Sequence, residues 1–234
     1  MVARLPFEIL PQPDDFSCGP TCLHAVYRYY GDDASLPDVI REVPQLPDGG
    51  TLAVLLACHA LRRGYRATVY TYNLQVFDPT WFVPHEVDLA LKLRAQLREK
   101  NDPRLVAATH GYLEFLELGG VVRLEDLTAS LVRGYLTRGR PILCGLSSTY
   151  LYRNPREFGA NDDSDDVRGQ PMGHFVVLCG YDREARQVLV ADPLHENPFD
   201  RSLIYPVGIE RVLCAILLGV LTYDANLLVI EPKG

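Results

Sequence analysis

Two cysteines lie four residues apart near the start of the 234-residue chain, in the stretch PQPDDFSCGPTCLHAVYRYYG. They could be part of a disulfide, ligands of a metal, core residues or a nucleophile. A cysteine attacks a carbonyl carbon as the thiolate, and a helix N-terminus favours that anion because its free N–H groups carry partial positive charge. The pattern predicts that the first helix begins near Cys18. Cys18 is therefore the candidate nucleophile, and Cys22, one turn further along, is predicted to pack in the core.

A zinc site is a second interpretation of this pair, with His24 close by. Zinc ligands often lie two to four residues apart, but a structural site needs a second pair with similar spacing. The other neighbouring pair, Cys58 and His59, is adjacent in sequence, and adjacent residues point to different sides of a helix. We therefore predict no metal site and no other cofactor.

His174 is the best placed of the six histidines to take a proton from a nucleophilic thiol. It opens the apolar run HFVVLCGYD, which predicts a buried strand, and a second run, QVLVADP, ends in Asp192. If the two runs form a hairpin through residues 183–186, antiparallel pairing brings His174 beside Asp192. A carboxylate in that place would select the imidazole tautomer and favour its charged form.

Gln12 is the fourth candidate, six residues before Cys18 in a proline-rich stretch. A side-chain amide N–H in that position, together with the backbone N–H of the nucleophile, could donate to a developing oxyanion.

The elements that must position these residues change in type along the chain. Apolar residues at three- and four-residue spacing predict helices in the first part, and short apolar runs bounded by Gly, Asp and Pro predict buried strands in the second. Predicted helices cover 18–31, 35–43, 51–64 and most of 85–139; predicted strands cover 66–73, 141–147, 174–182, 187–193 and 226–232; 209–221 fits either. Asp14, Asp15 and Ser17 are predicted to cap the first helix. Helices followed by an antiparallel sheet indicate an α+β fold.

Charge and hydropathy exclude several classes of partner. The net charge of −7 and the absence of a Lys/Arg-rich block argue against nucleic acid. The N-terminus has no apolar core typical of a secretory signal, and the most apolar run, Val212 to Thr222, is too short to cross a bilayer. We therefore predict a cytoplasmic protein with no membrane contact.

The remaining sequence features have structural interpretations. Disulfides are improbable in the cytoplasm, and four further cysteines in apolar runs are predicted to be core residues. These are Cys58, Cys144, Cys179 and Cys214. The acidic stretch NDDSDDVRGQ at 161–170 does not follow the order of an EF-hand loop, so we predict a mobile acidic loop and no calcium site.

Together, these residues resemble the papain-like cysteine peptidases, and above all the bacteriocin-processing, double-glycine peptidases of family C thirty-nine. That family opens with Gln-x5-Cys-Gly-x-x-Cys-Leu and continues with His-Phe/Tyr-Val-Val-Leu-x-Gly and then Asp-Pro. The corresponding segments here are QPDDFSCGPTCL, GHFVVLCGYD and VADP. The resemblance covers 11–31 and 141–193 well and 32–73 loosely, and it does not cover 74–139 or the acidic loop at 150–170.

The resemblance implies a papain-like fold. Its N-terminal helical half would carry the nucleophile on a helix that packs against a C-terminal antiparallel β-sheet, with the cleft between them. Residues 1–234 would form a single peptidase domain, and 74–139 would be a helical insertion in it.

The resemblance also implies a role for each candidate residue. Cys18 would attack, His174 would move the proton, Asp192 would orient His174, and Gln12 would stabilise the oxyanion. The substrate would be a peptide or protein, such as a leader or glycine-rich peptide, and a ligase or exporter encoded nearby would be a partner. Two alternatives stay open: an acyltransferase or transpeptidase of the same fold, and a peptide-binding module without turnover.

Overall fold

The computed structural model describes residues 2–47, 49–83, 87–159, 161–199 and 202–233. Within these ranges the α-helices are α1 (Cys18–Tyr29), α2 (Leu36–Glu42), α3 (Ala53–Arg62), α4 (Leu89–Glu99), α5 (Pro103–Glu117), α6 (Ala129–Leu136), α7 (Ser148–Tyr152) and α8 (Ile209–Leu218). Short 3-10 helices cover Pro79–Phe82 and Gly219–Thr222. The strands are β1 (Val2–Arg4), β2 (Tyr65–Thr71), β3 (Val121–Arg123), β4 (Ile142–Ser147), β5 (Glu157–Phe158), β6 (Asp163–Ser164), β7 (Gly173–Asp182), β8 (Gln187–Ala191), β9 (Ile204–Gly208) and β10 (Asn226–Pro232).

One large sheet carries the catalytic candidates of the second half of the chain. Its strand order is β3-β2-β10-β4-β7-β8-β9, and β1 pairs with the end of β7. Strands β4 and β7 are almost entirely buried apolar runs, which is typical of strands covered on both faces, and three of the five residues of β8 are buried. Helix α1 packs on β7, α3 packs on β2, and α8 packs on β4. The start of α1 and the start of β7 are thereby brought together.

The sequence predicts a sheet in the C-terminal half of the chain. The observed sheet is not confined to that half. Strands β1 and β2 come from the first half and β3 from just after the midpoint of the chain. Strand β2 pairs in parallel with β3, whereas its pairing with β10 is antiparallel. The fold is therefore α+β and papain-like, with a mixed sheet to which both halves contribute. Strands as short as β1 and β3, of three residues each, leave no recognisable alternation in the sequence.

The predicted helices and longer strands are confirmed, with differences at their ends, whereas the sequence predicts neither α7 nor β9. The last predicted helix of the 85–139 region begins only at Ala129, and residues 84–86, where the first of them was predicted to begin, lie outside the described residues. The ambiguous segment at 209–221 is helix α8 followed by a 3-10 turn. The acidic stretch at 161–170 does not remain an open loop, because Asp163–Ser164 pairs with Glu157–Phe158 as a small hairpin.

Helix α1 begins where the sequence predicts, but its first turn has no side-chain cap. Ser17 is the N-cap residue, and its hydroxyl donates to the Asp14 carbonyl instead of accepting from the helix. The Asp14 carboxylate accepts from the Phe16 N–H and so closes a turn ahead of the helix. The N–H groups of the first turn are therefore left free at the position of Cys18.

The burial prediction for the cysteines is wrong at one position. Cys58, Cys144 and Cys179 are buried, whereas Cys214 is exposed. Helix α8 buries the face that contains Ile209, Val212, Ala215 and Ile216, so Cys214 lies on the face turned to solvent.

Candidate active site

Cys18 is the first residue of α1 and is half-buried where this helix meets the sheet. Its side chain lies beside that of His174, and this contact is one of the causes that raise the pKa of the imidazole. The helix approaches its neighbours closely at the next residue, since a Cβ on Gly19 would lie 2.8 Å from Cγ2 of Thr51 and 3.1 Å from the Phe175 ring. The Cys-Gly pair thus places the thiol at a helix N-terminus that is packed tightly against β7.

Cys22 has the packing role that the sequence predicts. It is fully buried, and its thiol donates to the Phe175 carbonyl at 3.2 Å. Burial raises the pKa of the Cys22 thiol well above its ordinary value, so this residue stays protonated. The two cysteines of the opening motif therefore differ in exposure and in hydrogen-bond partner, and only Cys18 contacts an imidazole.

The structure brings His174 and Asp192 together. Nε2 of His174 lies 2.8 Å from Oδ1 of Asp192, and the two side chains are almost completely buried. Because a carboxylate accepts a hydrogen bond from Nε2, Nδ1 is the ring nitrogen left for the Cys18 thiol. The imidazole therefore bridges the candidate nucleophile and the acid.

A β-bulge makes this pairing possible. The register near the turn pairs Asp182 with Gln187, but it shifts between Leu178 and Gly180, so that Val177 pairs with Ala191. Continuing the shifted register by one residue places Asp192 opposite residue 176, which lies on the same face of β7 as His174. Without the extra residue, Asp192 would lie opposite Val177 and would point to the other face.

The charge of the pair follows from its surroundings. Burial alone would lower the pKa of His174, but the charge and hydrogen bond of Asp192, with the contact to Cys18, raise it to about 10. Burial opposes ionisation of Asp192, yet the charge of His174 and hydrogen bonds from His174, Tyr205 and the Leu194 N–H hold its pKa below the ordinary value. The favoured state is an imidazolium beside a carboxylate.

Sequence reasoning missed two tyrosines at this site. The Tyr152 hydroxyl donates to Oδ2 of Asp192 at 2.7 Å, and the Tyr205 hydroxyl donates to the same oxygen. Tyr152 ends α7 and Tyr205 lies in β9, so neither is near Asp192 in a recognisable sequence motif. Only the pairing of β8 with β9 and the packing of α7 bring them there.

Gln12 lies at the junction of the two halves of the site. Its backbone N–H donates to the Pro193 carbonyl at 2.9 Å, which ties the loop before α1 to the residue after Asp192. Its side-chain Nε2 donates to the Asp14 carbonyl at 2.8 Å. A primary amide has two N–H groups, so one remains for another acceptor.

No group of three or more His, Cys, Asp or Glu side chains in the described ranges is arranged to hold a metal ion. None of the helices in those same ranges combines the length and the apolar character needed to span a membrane.

The fold places the molecule in the papain-like class, with a thiol on a helix N-terminus facing a histidine on the sheet. Residues 90–206 match the model of the Peptidase_C39 like family, and the chain belongs to this family. It is a cysteine peptidase. The matched region contains His174 and Asp192 and part of the 74–139 segment, whereas Gln12 and Cys18 lie before it.

Several solved structures are similar to this chain. A C39-like peptidase from Bacillus anthracis has a TM-score of 0.50 at 14% identity, over 100% of this chain and 99% of that one. The peptidase domain of Streptococcus ComA, a bifunctional ABC transporter of a quorum-sensing pathway, has a TM-score of 0.45 at 14% identity, over 97% and 99%. A double glycine motif protease from an AMS/PCAT transporter, solved with its leader peptide, has a TM-score of 0.46 at 14% identity, over 99% and 95%. Among curated proteins, no match was found.

Proposed function

We propose that the chain hydrolyses peptide bonds with Cys18 as nucleophile, His174 as general acid and base, and Asp192 as the residue that orients and charges His174. The observation that carries this proposal is the arrangement of three side chains in series: the Cys18 thiol lies beside His174, and His174 is hydrogen-bonded to the buried Asp192 carboxylate.

The steps follow from this arrangement. The Cys18 thiolate attacks the carbonyl carbon, and the His174 imidazolium then gives its proton to the departing amine. This leaves a thioester on Cys18 and a neutral imidazole. Neutral His174 takes a proton from water, the resulting hydroxide attacks the thioester, and the thiolate leaves as the acid product forms. Asp192 keeps the imidazole in one orientation throughout, without itself taking the proton.

The oxyanion of each tetrahedral intermediate would receive two donors. One is the backbone N–H of Cys18, which is free because it belongs to the first turn of α1. The other is the N–H of Gln12 that does not bind the Asp14 carbonyl. The bond between the Gln12 backbone and Pro193 keeps this loop beside the site.

For the substrate, we propose a peptide or protein, such as a leader or glycine-rich peptide, in keeping with membership of a peptidase family. Three further points stay predictions. They are a ligase or exporter encoded nearby, the cytoplasmic location, and the assignment of 74–139 as an insertion in a single domain of residues 1–234. Acyl transfer would need only an amine in place of water at the thioester, and no observation favours it over hydrolysis.

Selective alkylation tests the nucleophile directly. We expect brief iodoacetamide treatment at about pH 6, below the usual thiol pKa of about 8.5, to label Cys18 before any other cysteine. Cys214 is an internal control, since it is more exposed than Cys18 but has no recorded histidine partner among the described residues. Labelling of Cys214 ahead of Cys18, read by peptide mass mapping, would show that Cys18 is not activated.

Turnover is then measured with synthetic peptides that do and do not contain Gly-Gly. We expect Gln12→Ala to lower kcat by about 100- to 1000-fold, because an oxyanion donor acts mainly in the tetrahedral state. KM and the alkylation rate of Cys18 should change little. A Gln12→Ala variant with the kcat of the wild type would remove Gln12 from the mechanism, and a wild-type protein labelled at Cys18 that cleaves none of the peptides would favour the binding module.

A further inference from the structure

We propose that Tyr152 and Tyr205 are positioning residues that hold the Asp192 carboxylate ionised and correctly oriented, and that the charged state of His174 depends on both of them. This inference rests on the proposed function, since it assigns a task to residues that act through Asp192.

The hydrogen bonds to Asp192 account for all of its acceptor capacity. Oδ1 accepts from Nε2 of His174 at 2.8 Å and from the Leu194 N–H at 2.9 Å. Oδ2 accepts from the hydroxyls of Tyr152 and Tyr205. An ionised carboxylate offers about four acceptor positions, and each is used here. Among these donors, the phenols are those that bind the oxygen turned away from His174.

Asp192 needs these donors because it has no access to water. Its exposed fraction is 0%. A buried carboxylate without partners takes up a proton instead of remaining charged. Removal of both phenols would leave Oδ2 buried and unpaired, which favours protonation of Asp192. A protonated Asp192 would no longer supply the negative charge that stabilises the His174 imidazolium.

The two phenol rings are themselves held in place. The Phe199 ring stacks on Tyr205 with centroids 4.8 Å apart and meets Tyr152 edge-on at 6.1 Å. Tyr152 also lies against the His174 ring, at 6.2 Å between centroids. The hydroxyls therefore converge on one oxygen because three elements, α7, β9 and the loop between β8 and β9, pack together.

Among the described residues, few titratable groups face Asp192, which makes its ionisation measurable. They are His174 on β7, Tyr152 on α7, Tyr205 on β9 and Cys22 on α1, with Cys18 acting through His174. Burial and the charge of Asp192 raise the pKa of both tyrosines, so they stay protonated donors. Burial keeps the Cys22 thiol neutral.

The alkylation rate of Cys18 falls on acidification, and the pH at which it has fallen by half is its acid midpoint. We expect this midpoint to shift to higher pH in the variants. Hydrogen bonds donated to a carboxylate favour its ionised form, so the loss of each phenol should raise the pKa of Asp192. The thiolate of Cys18 then loses its imidazolium partner at a higher pH. We expect the acid midpoint of alkylation to rise most in the double variant Tyr152→Phe/Tyr205→Phe, and by less in each single variant.

The experiment measures the alkylation rate of Cys18 against pH in the two single variants and the double variant, with melting temperatures. Tyr30→Phe is the matched control, because it removes a phenol bond to the Ile230 carbonyl at 3.0 Å away from the site. It should not move the midpoint. If the double variant does not fold, the single variants decide the outcome, since each retains one phenol.

A double-mutant cycle with Asp192→Asn separates positioning from mere packing. In that background the tyrosine substitutions should produce no further shift, because there is no carboxylate for them to stabilise. The inference would be overturned if the folded Tyr→Phe variants had the acid midpoint of Cys18 alkylation of the wild type. It would also be overturned if these substitutions shifted the midpoint equally with and without Asp192→Asn. Failure of the proposed mechanism looks different, because Cys18 would then show no preferential labelling in the wild-type protein.

Discussion

Two buried histidines, one in each half of the molecule, have similar neighbours and opposite charge preferences. His174 on β7 is 7% exposed and His59 on α3 is 4% exposed. Each has a carboxylate at Nε2, Asp192 at 2.8 Å and Glu42 at 3.2 Å. Yet the pKa of His174 is raised to about 10, whereas that of His59 is lowered below its ordinary value.

The difference lies in the carboxylate and in the other charges nearby. The Asp192 side chain is 0% exposed, whereas that of Glu42 is 48% exposed, so water weakens the attraction between Glu42 and His59. Burial lowers the pKa of His59, and the charges of Arg62 and Arg63 lower it further against the opposing effect of Glu42. Of these two buried histidines, the one with the raised pKa is therefore the one whose carboxylate partner is as deeply buried as itself.

The second ring nitrogen completes the contrast. Nδ1 of His174 is left for the Cys18 thiol, while Nδ1 of His59 lies 2.8 Å from the hydroxyl of Tyr27. Burial raises the pKa of Tyr27 far above its ordinary value, so this hydroxyl is not a nucleophile. A histidine between a carboxylate and a hydroxyl thus stabilises the helical half, and the same arrangement with a thiol at a helix N-terminus can do chemistry.

The largest effect should come from exchanging each histidine for glutamine. We expect His174→Gln to reduce kcat by about 10⁴-fold or more, because no other group can move the proton. His59→Gln should leave kcat nearly unchanged and lower the free energy of unfolding by about 1–3 kcal/mol. Peptide cleavage and urea unfolding of the two variants check this. A large loss of kcat in folded His59→Gln would place a second site in the helical half.

Exchange of the carboxylates should give a smaller contrast. Asp192→Asn should leave the fold intact and reduce kcat strongly but less than His174→Gln does, because Asp192 only orients and charges the imidazole, whereas His174 carries the proton. Glu42→Gln should not affect kcat. The control is Asp182→Asn, at the other end of the hairpin, where Asp182 accepts hydrogen bonds from the N–H groups of Glu184 and Ala185. This variant should have the kcat of the wild type. Unfolding of Asp192→Asn without a selective loss of kcat would make Asp192 structural.

The pH dependence of stability should differ between the two histidines. His174 has a raised pKa, so its contribution is fully present below about 6.5 and is lost as the pH rises toward about 10. His59 has a lowered pKa, so its contribution is present above about 6.5 and is lost below it. We therefore expect the stability gap between wild type and His174→Gln to shrink on the alkaline side, and that for His59→Gln to shrink on the acid side. Denaturant unfolding at several pH values measures both gaps, and gaps that shrink on the same side would contradict the assignment.

The smallest effect should come from Tyr27→Phe, which removes the hydroxyl beside His59. We expect a loss of about 1 kcal/mol, or roughly 2–4 °C in melting temperature, with no change in kcat or in the alkylation profile of Cys18. Tyr205→Phe, which removes a similar buried hydroxyl beside Asp192, should move that profile. Calorimetry gives the melting temperature of each variant, and alkylation at several pH values gives the profile of Cys18. Equal alkylation profiles would show that the hydroxyl beside Asp192 affects Cys18 no more than the one beside His59.

Most of the elements could be predicted because their signals are local. Apolar spacing and turn residues placed α1, α3, β7 and β8 to within a few residues, and so placed Cys18 at a helix start and His174 at a strand start. The exposure of Cys214 could not be predicted, because an apolar helix shows which of its faces is buried only once its neighbours are known.

Chemical type and chain order were therefore determined by the sequence: a thiol at the free N–H groups of a helix, an imidazole at the start of one strand and a carboxylate at the end of the next. Tertiary structure alone decided their relative geometry. The hairpin between residues 174 and 192 predicts proximity, but side chains alternate between faces, and only the bulge between Leu178 and Gly180 turns Asp192 to the face of His174. The hydroxyls of Tyr152 and Tyr205 reach the same carboxylate from 40 and 13 residues away, because α7 and β9 pack around it. Such contacts depend on how separate elements pack, which no local pattern in the chain specifies.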